Sequence, residues 1–262
     1  VNPFAYGFMV HAYLAAIIVA AMAGLTGYFL VLRGQSFAGH ALGHVGFAGA
    51  TGALLLGFPA LPGLIVATTV GGMLMGLMGE RLAERDVGIG LVLAASLGLG
   101  LLFLNFFTGS AAQAVALLFG NVLGVSVAML RGMAGVAIVT VLMIAAMSRP
   151  LLFATLQPEL AAARGLRLRL LSVLFLGVVG LAVAVSAQVV GVLLVFSLLV
   201  GPAATAQRLT PRVSIGLVLS VALALAEALG GITLAFYTDW PASFWISALA
   251  AGVYAIVVLG WR

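Results

Sequence analysis

Apolar runs of about twenty residues follow one another along almost the whole chain, separated by little more than an arginine, a proline or a few polar residues. A helix of that length covers about 30 Å, the hydrocarbon thickness of a bilayer. Lipid offers no partner for a backbone N–H or C=O, so each such run must pair its own backbone as a helix. Candidate spans are 9–32, 37–56, 61–79, 87–107, 132–147, 170–187, 190–206, 213–236 and 243–259. With 65% hydrophobic and 6% charged residues, the composition excludes a water-soluble globular protein. The expected fold is all-α, a polytopic integral membrane bundle of about eight or nine transmembrane helices. Residues 1–262 form a single transmembrane domain with no room for a sizeable soluble one.

All eleven basic residues are arginine, and the chain contains no lysine. A phosphate-binding P-loop needs a lysine to reach the terminal phosphates, so any ATP is handled by another subunit. The absence of cysteine excludes disulfides, thiolate ligands and thiol nucleophiles. The net charge of +5 comes from scattered arginines rather than a basic stripe, which excludes nucleic acid as a partner. If Arg33 faces the cytoplasm, alternating crossings put Arg81, Arg85, Arg149, Arg164, Arg167, Arg169, Arg208, Arg212 and Arg262 beside it, and only Arg131 opposite. That positive-inside bias places the N-terminus outside and the C-terminus in the cytoplasm. No basic residue precedes the first apolar run, so it reads as a span or its lead-in rather than a secretory signal peptide. The two halves share only a diffuse Gly and Ala content, and no internal repeat is inferred.

Thirty-four glycines would weaken a soluble bundle, but in lipid small residues let helices approach closely. The second run carries Gly39, Gly43, Gly46, Gly49 and Gly52 among Ala38, Ala41, Ala48, Ala50 and Ala53, and is expected to be buried. The stretch 108–130, with Gly120, Asn121 and Gly124, reads as a short or re-entrant helix on the outer side. Pro202, after Gly201, removes a backbone donor, and a cytoplasmic elbow is expected there.

Ionisable side chains inside spans are costly and mark functional sites. They are His40, His44 and Glu227, with His11 near the outer end of its run. His40 and His44 lie four residues apart, so on a helix their rings project from one face, one turn apart. Such a pair can bind one divalent metal, and imidazole suits zinc better than manganese, which prefers oxygen. Two ligands fall short of a closed structural site, yet a conduction site must also release its ion. The alternative is that both rings only hydrogen-bond across helices. Glu227, near the middle of its run, is a second transit ligand or a proton-linked group, or simply bonds a neighbouring helix. Asn105, Gln188, Tyr237 and Asp239 gather toward the outer face as a hydrophilic entrance, or cap helices there. Trp240, Trp245 and Trp261 lie toward span ends, as an aromatic belt requires. The segments 157–171 and 201–212 are short and partly basic, and either dock a soluble partner or only hold topology. An intramembrane metalloenzyme also uses HxxxH, but needs a general base such as the glutamate of HExxH, where this chain has Ala41.

These residues resemble the bacterial ABC-type zinc and manganese importer permeases, the ABC-3 metal permease family. LRGQSFAGHALGHVGFAGATGALLLG at 32–57 is similar to the family's second-helix block with its Asp-x-x-Ser-His element. LLFGNVLGVS at 117–126 resembles its outer segment, QPELAAARGLRLRLL at 157–171 its DPE-x-A stretch, and VVGVLLVFSLLVGPAATAQRLT at 189–210 its PAATA block. LAFYTDWPASFWIS at 234–247 resembles the segment before its final helix. The resemblance implies a type II ABC importer-like permease subunit of the bacterial inner membrane, not itself an enzyme. It would pair with a second copy, with cytoplasmic ATP-binding subunits and with an extracytoplasmic metal-binding protein. Its cargo would be a transition metal, imported with ATP hydrolysed on the partner subunits. His40 and His44 take the places of the family's Asp and His, and Gly43 that of its Ser, a change that points to Zn2+ over Mn2+. An importer of manganese, of chelated metal or of another small solute is the alternative. By the same resemblance Pro202, Ala203, Thr205, Gln207, Arg208, Thr210 and Arg212 form the element that couples to the ATPase.

Overall fold

The computed structural model describes residues 3–78, 82–106, 117–192 and 194–260. The expectations for Arg81, Trp261, Arg262, the Arg85 side chain and residues 108–116 lie outside what is described. Among the described residues all regular structure is helical. In chain order the α-helices are α1 Gly7–Leu32, α2 Ser36–Leu55, α3 Ala60–Leu77, α4 Leu82–Phe106, α5 Val127–Leu156, α6 Pro158–Ala163, α7 Leu168–Val190, α8 Val195–Leu209, α9 Val213–Thr238 and α10 Ala242–Gly260. Seven of the described helices are long and apolar enough to cross a membrane. The glycine-rich α2, with its two histidines, has 20 residues but falls outside that set, and α8 has only 15 residues. With these two, nine helices among the described residues correspond to the expected runs, approximately consistent with the expected eight or nine spans.

Hydrogen bonds between elements define the two ends of the bundle. At one, Arg33 donates from Nη1 to Thr155 Oγ1 at 3.1 Å, Arg169 from Nη2 to the Leu77 carbonyl at 2.9 Å, and Gln35 from Nε2 to Ser172 Oγ at 3.4 Å. The first bond ties the end of α1 to that of α5, and the other two tie the end of α3 and the turn between α1 and α2 to the start of α7. At the opposite end the Asn121 N–H reaches the Gln188 carbonyl at 3.3 Å, and the Val192 N–H reaches that of Leu117 at 3.2 Å. Of the described arginine side chains, Arg131 alone lies near a helix end at that second face; Arg33, Arg149, Arg164, Arg167, Arg169, Arg208 and Arg212 lie toward the first. The sequence bias thus corresponds to a real asymmetry of the molecule.

The helices form two packed groups. In one, α2, α3, α4 and α7 associate, and α3 against α7 is the most extensive pairing. Gly72 lies directly against the Leu176 carbonyl and Gly180 against that of Thr68, where an added Cβ has no room. In the other, α1, α8, α9 and α10 associate. There Ser220 Oγ donates to the Gly24 carbonyl at 2.7 Å, and the hydroxyls of Tyr13 and Thr233 meet at 2.8 Å. Helix α5 bridges the groups by packing on both α1 and α7.

Three boundaries depart from the sequence expectation. Helix α5 runs well past 132–147 in both directions: Ser126 Oγ accepts the Met129 N–H at 3.2 Å and starts the helix early, and Pro150 is carried inside it. Helix α8 begins at Val195 rather than at 190, because Gly191 adopts φ 88° and presses against residues 118–120. The elbow expected at Pro202 is displaced. The helix continues through it to Leu209, with Thr205 Oγ1 bonded to the Gly201 carbonyl at 2.8 Å, and the chain turns at 210–212. One proline removes a single ladder bond, which a packed helix absorbs.

Candidate metal site at the seam between the two helix groups

Gly34, at φ 63°, lets the chain leave α1 in a left-handed turn in which the Gln35 N–H bonds back to the Leu30 carbonyl at 3.0 Å. Helix α2 then starts at Ser36, and His40 and His44 follow about 6 and 12 Å along its axis, in the half nearer the arginine-rich end. Gly43, between them, admits the α7–α8 connection: a Cβ there would stand 2.9 Å from the Val192 carbonyl oxygen.

The two imidazoles are neighbours, with ring centroids 5.1 Å apart and planes at 83°. His40 is half-buried and meets the ring of Phe196, on α8, at 5.3 Å and 77°. His44 is 9% exposed, and its Nδ1 has no hydrogen-bond partner. A buried imidazole nitrogen without a protein partner calls for an explanation, and a bound ion is one that imidazole chemistry allows. An ion bound by both residues sits where the two ring planes intersect, because each nitrogen lone pair lies in its own ring plane. The pair therefore occupies the seam, with α2 from one helix group below it and Phe196 from the other closing over it.

Glu227 stands apart from this pair. It lies on the buried stripe of α9 with Ser220, Ala224, Ala228 and Gly231; it is 2% exposed, and neither carboxyl oxygen has a partner. Helix α9 packs on α1, α8 and α10. Among the described residues no three of His, Cys, Asp and Glu come together in a way that could hold a metal ion.

At the end opposite the arginines, a cavity of about 530 Å³ is lined by Asn121, Asp239 and Ser243 together with Phe8, Phe119 and Trp240. A second, of about 310 Å³, is lined by Asn121 and Gln188 with apolar neighbours. Asp239 and Gln188 thus sit on either side of Asn121, whereas Asn105, exposed at the end of α4, lines neither cavity. Asn121 lines both cavities and was not among the entrance residues expected from the sequence, although it stands in the Gly-rich break before the 3₁₀ turn Val122–Gly124 and accepts the Gly124 N–H at 3.0 Å. Trp240 stacks on Trp245 at 5.6 Å, and Thr238 Oγ1 accepts the Trp245 indole N–H at 2.9 Å, which fixes this aromatic corner.

The expected coupling residues divide in two. Pro202, Ala203 and Thr205 are buried inside the bundle, and Gln207 donates from Nε2 to the Tyr28 carbonyl at 2.9 Å. Arg208 and Arg212 are exposed at the arginine-rich end, with Thr210 partly so between them. Only the latter group is placed to touch a soluble partner.

A multi-pass helical bundle with a small donor set at an internal seam and a cavity at one mouth is the build of a membrane permease. The profile of the ABC 3 transport family matches residues 5–260, and the chain belongs to that family. It is 29% identical over 252 residues to the manganese transport system membrane protein MntC of Halalkalibacterium halodurans, covering 96% of this chain and 86% of that one. To the chelated iron transport system membrane protein YfeC of Yersinia pestis it is 29% identical over 240 residues, covering 91% and 81%. Among solved structures, PsaBC from Streptococcus pneumoniae in complex with Fab superposes with a TM-score of 0.83 at 26% identity, covering 96% of this chain and 91% of that one. The protein is a metal ABC importer permease.

Proposed function

We propose that this permease carries zinc from the Asn121 and Asp239 end to the arginine-rich end, which faces the cytoplasm, and that His40 and His44 pass the ion inward. The observation that carries this reading is the imidazole pair at the seam, one ring with an unpartnered nitrogen and the other covered by Phe196. Among the described residues no carboxylate joins the two imidazoles, and such a borderline donor set favours zinc over manganese. Two ligands also leave the ion free to depart, as a conduction site requires.

The working unit is a pair of these chains with cytoplasmic ATPases and an extracytoplasmic metal-binding protein. ATP-driven movement of the partners rocks one helix group against the other, opening the seam. Arg208, Thr210 and Arg212 meet the ATPase, and Gln207, bonded to the Tyr28 carbonyl, passes the displacement from α8 to α1. Glu227, outside the site, is a proton-linked group within the moving α1, α8, α9 and α10 unit.

A second reading, manganese or chelated iron, draws on the names of the relatives described above. A competition panel of divalent ions in uptake by the assembled complex separates the two. The zinc reading expects Zn2+ to displace labelled zinc at far lower concentration than Mn2+ or Fe2+; manganese as the strongest competitor contradicts it.

A further inference from the structure

We propose that the splayed faces of α3 and α4 form a binding site for one acidic phospholipid, its acyl chain in the groove between them and its phosphate on Arg169. The groove has a volume of about 650 Å³ and is floored by Ala48, Gly49 and Gly71, with Val66, Val70 and Leu74 along one wall. Those three wall residues are 62%, 49% and 55% exposed, so the groove is open along its length. From Val66 to Met78 it extends about 18 Å along α3, close to the depth of one leaflet, which is half of the ~30 Å core.

The groove ends where the charge begins. Leu77 and Met78 line its last turn, and the Leu77 carbonyl is the group that Arg169 holds through Nη2 at 2.9 Å. A guanidinium carries five N–H donors in a fixed fork, so one bond to a carbonyl orients the group and leaves donors for a phosphate. Arg169 is exposed. An anchored cation at headgroup depth, continuous with an apolar channel one leaflet deep, matches the two halves of an acidic phospholipid. A soluble protein has no segment to lay in an apolar groove within the membrane span, and charge complementarity selects the anionic headgroup over a zwitterionic one.

The test is native mass spectrometry of the purified complex, titrated with phosphatidylglycerol, with phosphatidylcholine of the same chains, or with glycerol phosphate alone. Wild-type protein is expected to retain phosphatidylglycerol over phosphatidylcholine, and Arg169→Gln to lose about tenfold of that preference, the effect of one charge-assisted contact. Val70→Trp, which fills the groove and leaves Arg169 in place, is expected to lower retention of both lipids. Equal retention of the two lipids by wild type, or binding of glycerol phosphate as tight as that of the lipid, overturns the proposal. Because the chain has no cysteine, Val70→Cys provides a single thiol. Its ready oxidation to a disulfide-linked pair of chains would show a second copy in the groove and also overturn the assignment, whereas chains that stay unlinked under the same oxidant support it.

Discussion

Replacing Glu227 by leucine is expected to stabilise the protein and impair transport. The side chain is 2% exposed, and both its oxygens lack a partner. Leaving a buried polar atom unsatisfied costs about 1–3 kcal/mol, while an apolar group of similar size at the same place costs nothing of that kind. Two such oxygens set a gain of about 2–6 kcal/mol, from which the imperfect fit of a branched side chain beside Ala224 and Ala228 takes about 1–2 kcal/mol. A net gain of about 2 kcal/mol corresponds to about 4–8 °C in the unfolding midpoint of a chain this long. Glutamine in place of Glu227 keeps a buried amide and gains almost none of this. The assay is thermal unfolding in nanodiscs of wild type, Glu227→Leu and Glu227→Gln, beside metal uptake by the same complexes in vesicles. The expected pattern is a higher midpoint for leucine only, with uptake reduced in both. A lower midpoint for Glu227→Leu would mean that the carboxyl has a partner in the folded protein; unchanged uptake in both variants would remove Glu227 from the mechanism.

Reversing the charge at Arg208 is expected to weaken copurification of the ATPase subunit while leaving the permease folded, since the side chain is exposed; an unchanged complex places the contact elsewhere. Gly180→Leu forces a side chain into the Thr68 carbonyl and is expected to cost at least about 1–3 kcal/mol, read as a lower unfolding midpoint or loss of folded protein. Trp245→Phe removes the indole bond to Thr238 Oγ1 and is expected to cost about 1 kcal/mol, with the aromatic corner loosened in tryptophan fluorescence.

The spans were legible because the bilayer sets one length scale, and apolar runs betray it directly. The ends of α1, α3 and α9 fall within a few residues of the expected positions for that reason. The start of α8 was not legible: it depends on Gly191 meeting the Leu118–Gly120 backbone, a contact between segments about seventy residues apart. The continuation of α5 and α8 through Pro150 and Pro202 was hidden likewise, since neighbouring helices rather than local sequence decide whether a proline bends or ends a span. At the site, the four-residue spacing of His40 and His44 gave their common face. The periodicity of α2 alone carries no sign that Phe196 would cover them. Nor does the single acidic residue in α9 reveal which helices surround it, so the separation of Glu227 from the histidines emerged only from packing.

Whether metal passes the two imidazoles of α2 is decided by radiolabelled zinc uptake into vesicles holding the assembled transporter. With both His40 and His44 replaced by alanine, the complex is expected to assemble and bind ATP normally while zinc uptake falls to the level of protein-free vesicles. Uptake at the wild-type rate by that double variant would contradict the claim.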